Sequence, residues 1–398
     1  MESAKSHRMK TFNHAYFVTY SAAFIALGLS SGALGPMLPY LATMVNVSIS
    51  QISFVFTAIS LGYLIGSTGG GQLLDRFRGH RLMLLAVLLT MIALVLVPLS
   101  TKMPFLLTIL FVLGLGQGII DVGANTSLLW VYQKRVGPFM NALHFCFGAG
   151  AFLSPLLLHY VLRWSGGQLI WPFWSLAVLA IPGLLGLWRF PSPKSPKPET
   201  AEDGIKNHNT GLIIAIMMLF FLIIGIENGF GGWVFTYVSE AKVTTEAGAS
   251  FINSIFWGAL TIGRLLAVPL ARKVKAAYML LGNILLAIIF LMLLLVFPLN
   301  ILAIWIGSAG LGLALSSGFP TLLVLGESRL KITGRITGLF FLGSSLGTMF
   351  VPTVMGQVFE RFGSVHIITA MLTFACLGLG VLLLVIFTSS KVSKRTQN

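Results

Sequence analysis

Charged residues are scarce in this sequence. Asp, Glu, Lys and Arg make up 9% of its 398 residues, against about 25% in soluble domains. Only 11 residues are acidic while 26 are Lys or Arg, and 56% are hydrophobic. This composition excludes a soluble globular protein and predicts an integral membrane protein. The basic residues lie in short clusters between apolar runs, so we expect no nucleic-acid partner.

Cysteines and catalytic motifs are equally sparse. The two cysteines, Cys146 and Cys376, lie in apolar runs, so neither a disulfide framework nor a metal cluster is expected. No Walker motif is present, which argues against direct use of ATP. No Ser-His-Asp arrangement can be argued either. We therefore expect neither an enzyme nor a resident cofactor.

What the sequence does contain is a series of long apolar runs. About twenty apolar residues cross a bilayer as a helix, and this length predicts an all-α membrane protein. A Pro-rich, charged stretch at 191–210 divides it into bundles of six helices at 1–190 and 211–398. The twelve predicted spans are 14–43, 51–74, 80–100, 104–132, 138–162, 169–190, 211–239, 247–271, 275–297, 300–326, 333–358 and 364–388.

The distribution of Lys and Arg predicts the orientation. With both termini cytoplasmic, 21 of these residues fall in inner segments and 4 in outer segments, with Arg264 left inside a span. This bias follows the positive-inside rule. We expect a multi-pass protein of the plasma (inner) membrane, embedded in lipid as a monomer.

The two halves also resemble each other. A shift of about 196 places Gly114–Gly116 on Gly310–Gly312, and a shift of 197 places Gly150 on Gly347. A parallel repeat of six spans is a transporter architecture, in which the substrate site lies near the midplane between pseudo-symmetric halves.

Several motifs point to one family. The loop Gly71–Arg81 resembles the signature G-x-x-x-D-R-x-G-R-R of the major facilitator superfamily, although Gly79 comes one place late. Further stretches resemble the sodium-dependent glucose transporter 1 branch, near the fucose permeases. The resemblance implies the major facilitator fold and cation-coupled uptake of a monosaccharide, namely glucose or a related hexose. These stretches are Asp121–Trp130, Met140–Gly150, Gly225–Trp233, Phe256–Arg264 and Ser317–Thr321.

A polar stripe in the fourth span is the first candidate site. Gln117, Asp121 and Asn125 are spaced by four, so they share one face of a helix. A charged residue at this depth is costly, which favours a function. We predict that Asp121 and Asn125 bind the coupling cation, with Na⁺ favoured over H⁺, and that Gln117 contacts substrate. The alternative is an Asp that is protonated or paired within the bundle.

The repeat supplies a comparison for these residues. At the same shift Asp121 corresponds to about Ser317 and Glu227 to Ser31. The uncharged counterparts suggest that the scaffold itself does not require a charge at either place. This favours a site role over a packing role.

Other polar residues are predicted to bind substrate. Glu227 and Asn228 lie in a Gly-rich part of the seventh span and can hydrogen-bond sugar hydroxyls. His144 could contact the sugar or move protons, or it could simply bond a neighbour such as Asn141. Both interpretations of His144 stay open, and Asn141 is kept as a substrate candidate.

Aromatic side chains could stack on the apolar face of a sugar. The candidates are Trp233, Trp257, Trp130 and Phe145. Trp233 is favoured because it follows Glu227 by six residues in the same span. Packing or lipid contact is the alternative for each of them.

Three charged residues are predicted to act in gating. Asp75 and Arg76 follow the second span and could lock a cytoplasmic gate, although their charges could equally serve only to set topology. Arg264 lies toward the cytoplasmic end of the eighth span and could pair across a gate or bind substrate.

The sequence therefore predicts a secondary transporter that carries a monosaccharide with Na⁺ or H⁺ by alternating access. A proton-driven exporter of drugs or lipids is the first alternative, and it would need a wide, apolar site. A non-transporting sensor is the second, and it would need an appended soluble domain.

Overall fold

The computed structural model describes residues 2–193, 210–330 and 334–395, apart from the side chains of 2–13, 75, 134, 334–335 and 388–395. All regular structure in these residues is helical. The α-helices are α1 Glu2–Gly32, α2 Leu34–Met44, α3 Ile49–Ile52, α4 Phe54–Arg76, α5 Gly79–Leu96, α6 Met103–Tyr132, α7 Val136–Trp164, α8 Ile170–Leu179, α9 Ile181–Arg189, α10 Thr210–Glu240, α11 Glu246–Ala271, α12 Ala276–Val296, α13 Ile301–Leu315, α14 Gly318–Arg329, α15 Gly334–Phe362 and α16 His366–Arg395.

Twelve helical stretches of the described residues are long and apolar enough to cross a membrane. The prediction of a twelve-span, all-α membrane protein is therefore confirmed. The stretches are His14–Gly32, Ile49–Leu74, Gly79–Leu99, Met103–Tyr132, Val136–Trp164, Ile170–Arg189, Thr210–Glu240, Glu246–Ala271, Ala276–Val296, Ile301–Arg329, Ile336–Phe362 and His366–Phe387.

The tenth span is interrupted, where the sequence predicts a continuous helix. Helix α13 ends at Leu315 and α14 begins at Gly318. Pro320 has no N–H, so it cannot donate to the Ser316 carbonyl one turn earlier. The interruption therefore leaves a backbone acceptor inside the membrane-spanning part of the chain.

The chain divides into two compact units. Unit 1 is Met1–Val47 with Ala58–Glu199, and unit 2 is Ser48–Thr57 with Thr200–Asn398. The predicted bundle boundaries at 190 and 211 stay predictions, because residues 194–209 of the predicted linker fall outside the described residues.

The segment Ser48–Thr57 belongs to unit 2 because it packs on α15. The Ser50 backbone N–H donates to Glu360 Oε2 at 2.6 Å, and Gln357 Nε2 donates to the Ser50 carbonyl at 2.9 Å. One turn earlier on α15, the hydroxyls of Thr353 and Thr57 are 2.8 Å apart. These contacts follow one face of α15, since their α15 residues are spaced by about one helical turn.

Candidate functional site

Asp121 lies on α6 in unit 1, and both of its carboxylate oxygens accept hydrogen bonds. Tyr63 on α4 donates its hydroxyl hydrogen to Oδ2, and Asn125 Nδ2 donates to Oδ1 at 2.8 Å. We call Asp121, Asn125 and Tyr63 the carboxylate site. A carboxylate removed from water is tolerated only when donors replace the water. Here both donors are neutral side chains.

Glycines bring α4 and α6 close enough for the Tyr63 contact. A Cβ atom placed on Gly118 would lie 2.7 Å from the backbone nitrogen of Ser67, and one on Gly114 would lie 3.0 Å from that of Tyr63. Real Cβ atoms do not approach a neighbouring backbone so closely, so only Gly fits at these positions. The backbones therefore touch, and the phenol of Tyr63 reaches the next turn of α6.

The amide of Asn125 has a free side. Its nitrogen donates to the carboxylate and also to the Asp121 backbone carbonyl at 3.0 Å. Its oxygen is buried and has no hydrogen-bond partner among the described residues. Asn125 thus presents an unused hard-oxygen acceptor beside the carboxylate.

His144 joins this region from α7. It interacts electrostatically with Asp121, and its ring lies edge-on to Phe24 with 5.7 Å between centroids. The structure therefore brings three predicted site residues together in unit 1: Asp121, Asn125 and His144.

Gln117 shares the face of α6 with Asp121 but has a different partner. Its Nε2 donates to the Ser30 hydroxyl at 2.9 Å, and its side chain is buried. This bond connects α6 to α1. The spacing in the sequence placed the residue on the right face without revealing that contact.

Glu227 on α10 is paired with a permanent cation in unit 2. Its Oε1 accepts a bond from Arg264 NH2 of α11 at 3.2 Å, and the side chain of Glu227 is 8% exposed against 28% for Arg264. Arg264 Nε also donates to the Ser316 carbonyl at 3.4 Å. That carbonyl is the acceptor left free by Pro320.

Arg264 therefore connects three helices of unit 2. It joins α10 through Glu227 and the α13–α14 interruption through Ser316. Its predicted gating role stays a prediction, and the contacts seen here are those of a residue that holds helices together.

Trp257 and Asn253 leave two polar atoms free beside α10. Trp257 packs against Gly231, where an added Cβ atom would overlap the indole ring. Asn253 Nδ2 donates to the Gly231 carbonyl at 2.7 Å. The indole N–H of Trp257 and the amide oxygen of Asn253 are both buried without a partner among the described residues.

Two other candidates of the seventh span donate hydrogen bonds to backbone carbonyls of unit 2. Asn228 Nδ2 donates to the Ile224 carbonyl at 2.9 Å within α10. Trp233 is fully buried, and its indole N–H donates to the Pro352 carbonyl at 2.8 Å. Phe56 and Phe359 flank its ring. The contacts of Trp233 are those of a packed core residue.

The remaining predicted residues lie near the ends of helices. Asn141 is exposed near the beginning of α7, and Arg76 is exposed at the end of α4. The side chain of Asp75 falls outside the described residues, so its gating role is a prediction only.

Tyr63 is the site residue that the sequence did not reveal. Its only local signal is a polar ring in the Gly-rich stretch Leu61–Gly71. The Ser316 acceptor had a clearer signal, because Pro320 four residues later removes its normal donor.

The oxygen atoms of the carboxylate site limit what it can bind. A carboxylate, an amide oxygen and a phenol oxygen are hard ligands that suit Na⁺ or another small cation. The described residues contain no group of three or more His, Cys, Asp or Glu that could hold a metal ion. The site can also accept a proton.

The chain is similar to known membrane transport proteins. A family model described as Major Facilitator Superfamily matches residues 20–352. The chain is 27% identical over 404 residues to sodium-dependent glucose transporter 1A of Mus musculus, covering 92% of this chain and 94% of that protein. It is 29% identical over 405 residues to sodium-dependent glucose transporter 1 of Homo sapiens, covering 92% and 78%.

Solved structures show a shared fold. The crystal structure of a D-xylose-proton symporter superposes with a TM-score of 0.78 at 15% identity, covering 94% of this chain and 97% of the other. At this identity the likeness concerns the arrangement of helices.

Proposed function

Because the chain belongs to the major facilitator superfamily, a family of multi-pass membrane transporters rather than enzymes, we propose that it is a secondary transporter that carries a monosaccharide together with a cation. We favour Na⁺ over H⁺ as the coupling cation, alternating access as the mechanism and a hexose as the sugar. We also propose that the protein lies in the plasma or inner membrane as a monomer with both termini cytoplasmic.

The carboxylate site is the observation that carries the proposal. Both hydrogen-bond donors to Asp121 are neutral, its electrostatic neighbour His144 is not a permanent cation, and among the described residues an ion pair with Lys or Arg is seen only for Glu227. A carboxylate without a permanently charged partner keeps its charge available to a cation that arrives and leaves. We therefore assign the coupling role to Asp121, with Asn125 as a second ligand.

The sugar is proposed from the names of the relatives and from free polar atoms in unit 2. The indole N–H of Trp257 and the amide oxygen of Asn253 offer one donor and one acceptor, which is what hydroxyl groups need. The contacts predicted for Gln117, Asn141, His144, Glu227, Asn228 and Trp233 stay predictions, as do the gating roles of Asp75, Arg76 and Arg264.

Coupling requires only a favourable interaction free energy between the bound cation and the bound sugar. If bound cation raises the affinity for sugar, bound sugar raises the affinity for cation by the same factor. A gradient of either one then drives the other when alternating access exposes the site to the two sides in turn.

Uptake into proteoliposomes tests the proposal. The purified chain is reconstituted, and radiolabelled glucose and other monosaccharides are offered under an inward Na⁺ gradient, an inward H⁺ gradient or neither. We expect the Na⁺ gradient to drive accumulation above the external concentration, and protein-free liposomes to show none.

The alternative function gives a different result in the same vesicles. A proton-driven exporter would move hydrophobic dyes under an H⁺ gradient and would leave every monosaccharide at its equilibrium level. That outcome would refute the proposed sugar transport.

A further inference from the structure

The two donors that hold Asp121 have a property in common that Arg264 lacks. A phenol hydroxyl and a side-chain amide can each present either a hydrogen or an oxygen, whereas a guanidinium can only donate. Rotation about the phenol C–O bond turns the hydroxyl hydrogen of Tyr63 away from the carboxylate. A half-turn of the Asn125 amide exchanges its nitrogen for its oxygen.

The structure shows the donating arrangement of both groups. The Tyr63 hydroxyl and Asn125 Nδ2 point their hydrogens at the two oxygens of Asp121. The Asn125 oxygen, on the other side of the amide, is buried and unpartnered among the described residues. A half-turn of the amide would bring this unsatisfied oxygen to the side of the carboxylate, where it could bind a cation.

We propose that Tyr63 and Asn125 form a donor-to-ligand switch around Asp121, in which both give hydrogen bonds to the bare carboxylate and both turn their oxygens to a bound Na⁺. Tyr63 thereby becomes a cation-specificity residue. The inference rests on the proposed function, since it adds two oxygen ligands to the coupling site assigned to Asp121.

The alternative is that Tyr63 only supports the bare carboxylate. The two roles differ in one measurable respect. A group that acts only in the cation-free state changes the affinity for every cation by the same factor, because that state is common to all of them. A ligand changes the affinities unequally, because cations of different size depend differently on ligand number and distance.

The test measures Na⁺ and Li⁺ binding to the full-length purified protein. Melting temperature is recorded against NaCl and LiCl at constant ionic strength with choline chloride, which gives an apparent Kd for each cation. Tyr63→Phe removes only the hydroxyl. Tyr20→Phe is the matched control, because it removes another buried hydroxyl of unit 1, bonded to His80 at 2.7 Å.

We expect Tyr63→Phe to weaken Na⁺ binding about tenfold, the loss of roughly one good ligand contact, and to change the ratio of Na⁺ to Li⁺ affinity at least about threefold. Tyr20→Phe should leave the ratio unchanged. Asn125→Leu, which removes the amide oxygen, should shift the ratio in the same direction as Tyr63→Phe.

Three outcomes would overturn the inference. The first is an unchanged ratio in Tyr63→Phe, and the second is an equal shift in Tyr20→Phe. The third is a wild-type protein that responds to neither Na⁺ nor Li⁺ while an H⁺ gradient still drives sugar uptake. Failure of the proposed function is a separate result, namely no monosaccharide accumulation under either gradient.

Discussion

Two carboxylates inside the membrane-spanning helices, those of Asp121 and Glu227, are held in opposite ways. Asp121 in unit 1 accepts bonds from Tyr63 and Asn125, which are neutral. Glu227 in unit 2 accepts a bond from Arg264, which carries a permanent charge. The sequence alone made the two acids look alike, since each is an isolated acidic residue in an apolar, Gly-rich span.

The difference indicates which acid is available for coupling. A permanent cation beside Glu227 neutralises it and also satisfies the free carbonyl of Ser316, so removing either partner leaves a costly group behind. Asp121 has no permanently charged partner, since its electrostatic neighbour is His144 and its two hydrogen-bond donors are neutral, and a mobile cation can replace those two hydrogen bonds. Under the proposed function, the difference favours Asp121 of unit 1 for coupling, while the ion pair of unit 2 holds helices together.

Neutralising Asp121 should have the largest effect on transport. Asp121→Asn keeps the size of the side chain but removes its charge, so Na⁺-driven accumulation should fall about a hundredfold, equivalent to ~2.7 kcal/mol. Exchange of labelled for unlabelled sugar across the vesicle membrane should persist, because it needs no gradient. Accumulation that still follows the Na⁺ gradient in this variant would remove Asp121 from the coupling role.

Neutralising Glu227 should instead act mainly on stability. Glu227→Gln leaves the Arg264 charge without its partner, at a cost of about 3 kcal/mol for a pair that is largely buried. A lower melting temperature in detergent is the readout. The double variant Glu227→Gln with Arg264→Gln should recover part of the loss, and a single variant as stable as wild type would contradict this account of the pair.

Separating α4 from α6 should weaken the carboxylate site without touching a polar residue. In Gly118→Ala the added methyl group meets the backbone of α4, so we expect a cost of about 1–3 kcal/mol and weaker Na⁺ binding. Gly69→Ala on α4 is the control, because nothing lies within 4 Å of its added Cβ. Equal Na⁺ affinities in the two variants would argue against the role given to this contact.

The smallest effect is expected at the repeat counterpart of Asp121. Ser317 accepts a bond from Asn283 Nδ2 at 2.7 Å. Ser317→Ala should lower stability by about 1 kcal/mol and leave the apparent Kd for Na⁺ unchanged. A shifted Na⁺ affinity in this variant would contradict the assignment of Na⁺ binding to unit 1 alone.

The sequence predicted the features that depend on local periodicity. Apolar length identified twelve spans, and a spacing of four placed Asp121 and Asn125 on one face, where the structure finds them bonded. Such features need only the geometry of a single helix.

The partners across helices could not be predicted in the same way. Tyr63 reaches Asp121 because glycines of both α4 and α6 allow their backbones to touch, and no pattern within either helix specifies that crossing. The partners of Arg264, Glu227 and Ser316, lie on two other helices, so the sequence of α11 alone predicts neither contact.

The repeat comparison fails for a related reason. Asp121 faces α4 through Tyr63, whereas Ser317 faces α12 through Asn283. In the repeat, α4 corresponds to α11 and not to α12. The uncharged Ser317 therefore says nothing about whether the scaffold needs a charge at the position of Asp121.

The packing of Ser48–Thr57 on α15 has a consequence for biosynthesis. Ser50 is made 310 residues before Glu360, the side chain that accepts its backbone N–H. The native contacts of this early segment therefore form only after nearly the whole chain has been made. Two fragments produced by cutting between residues 193 and 210 would not be independent folding units, because the first carries part of the second one's structure.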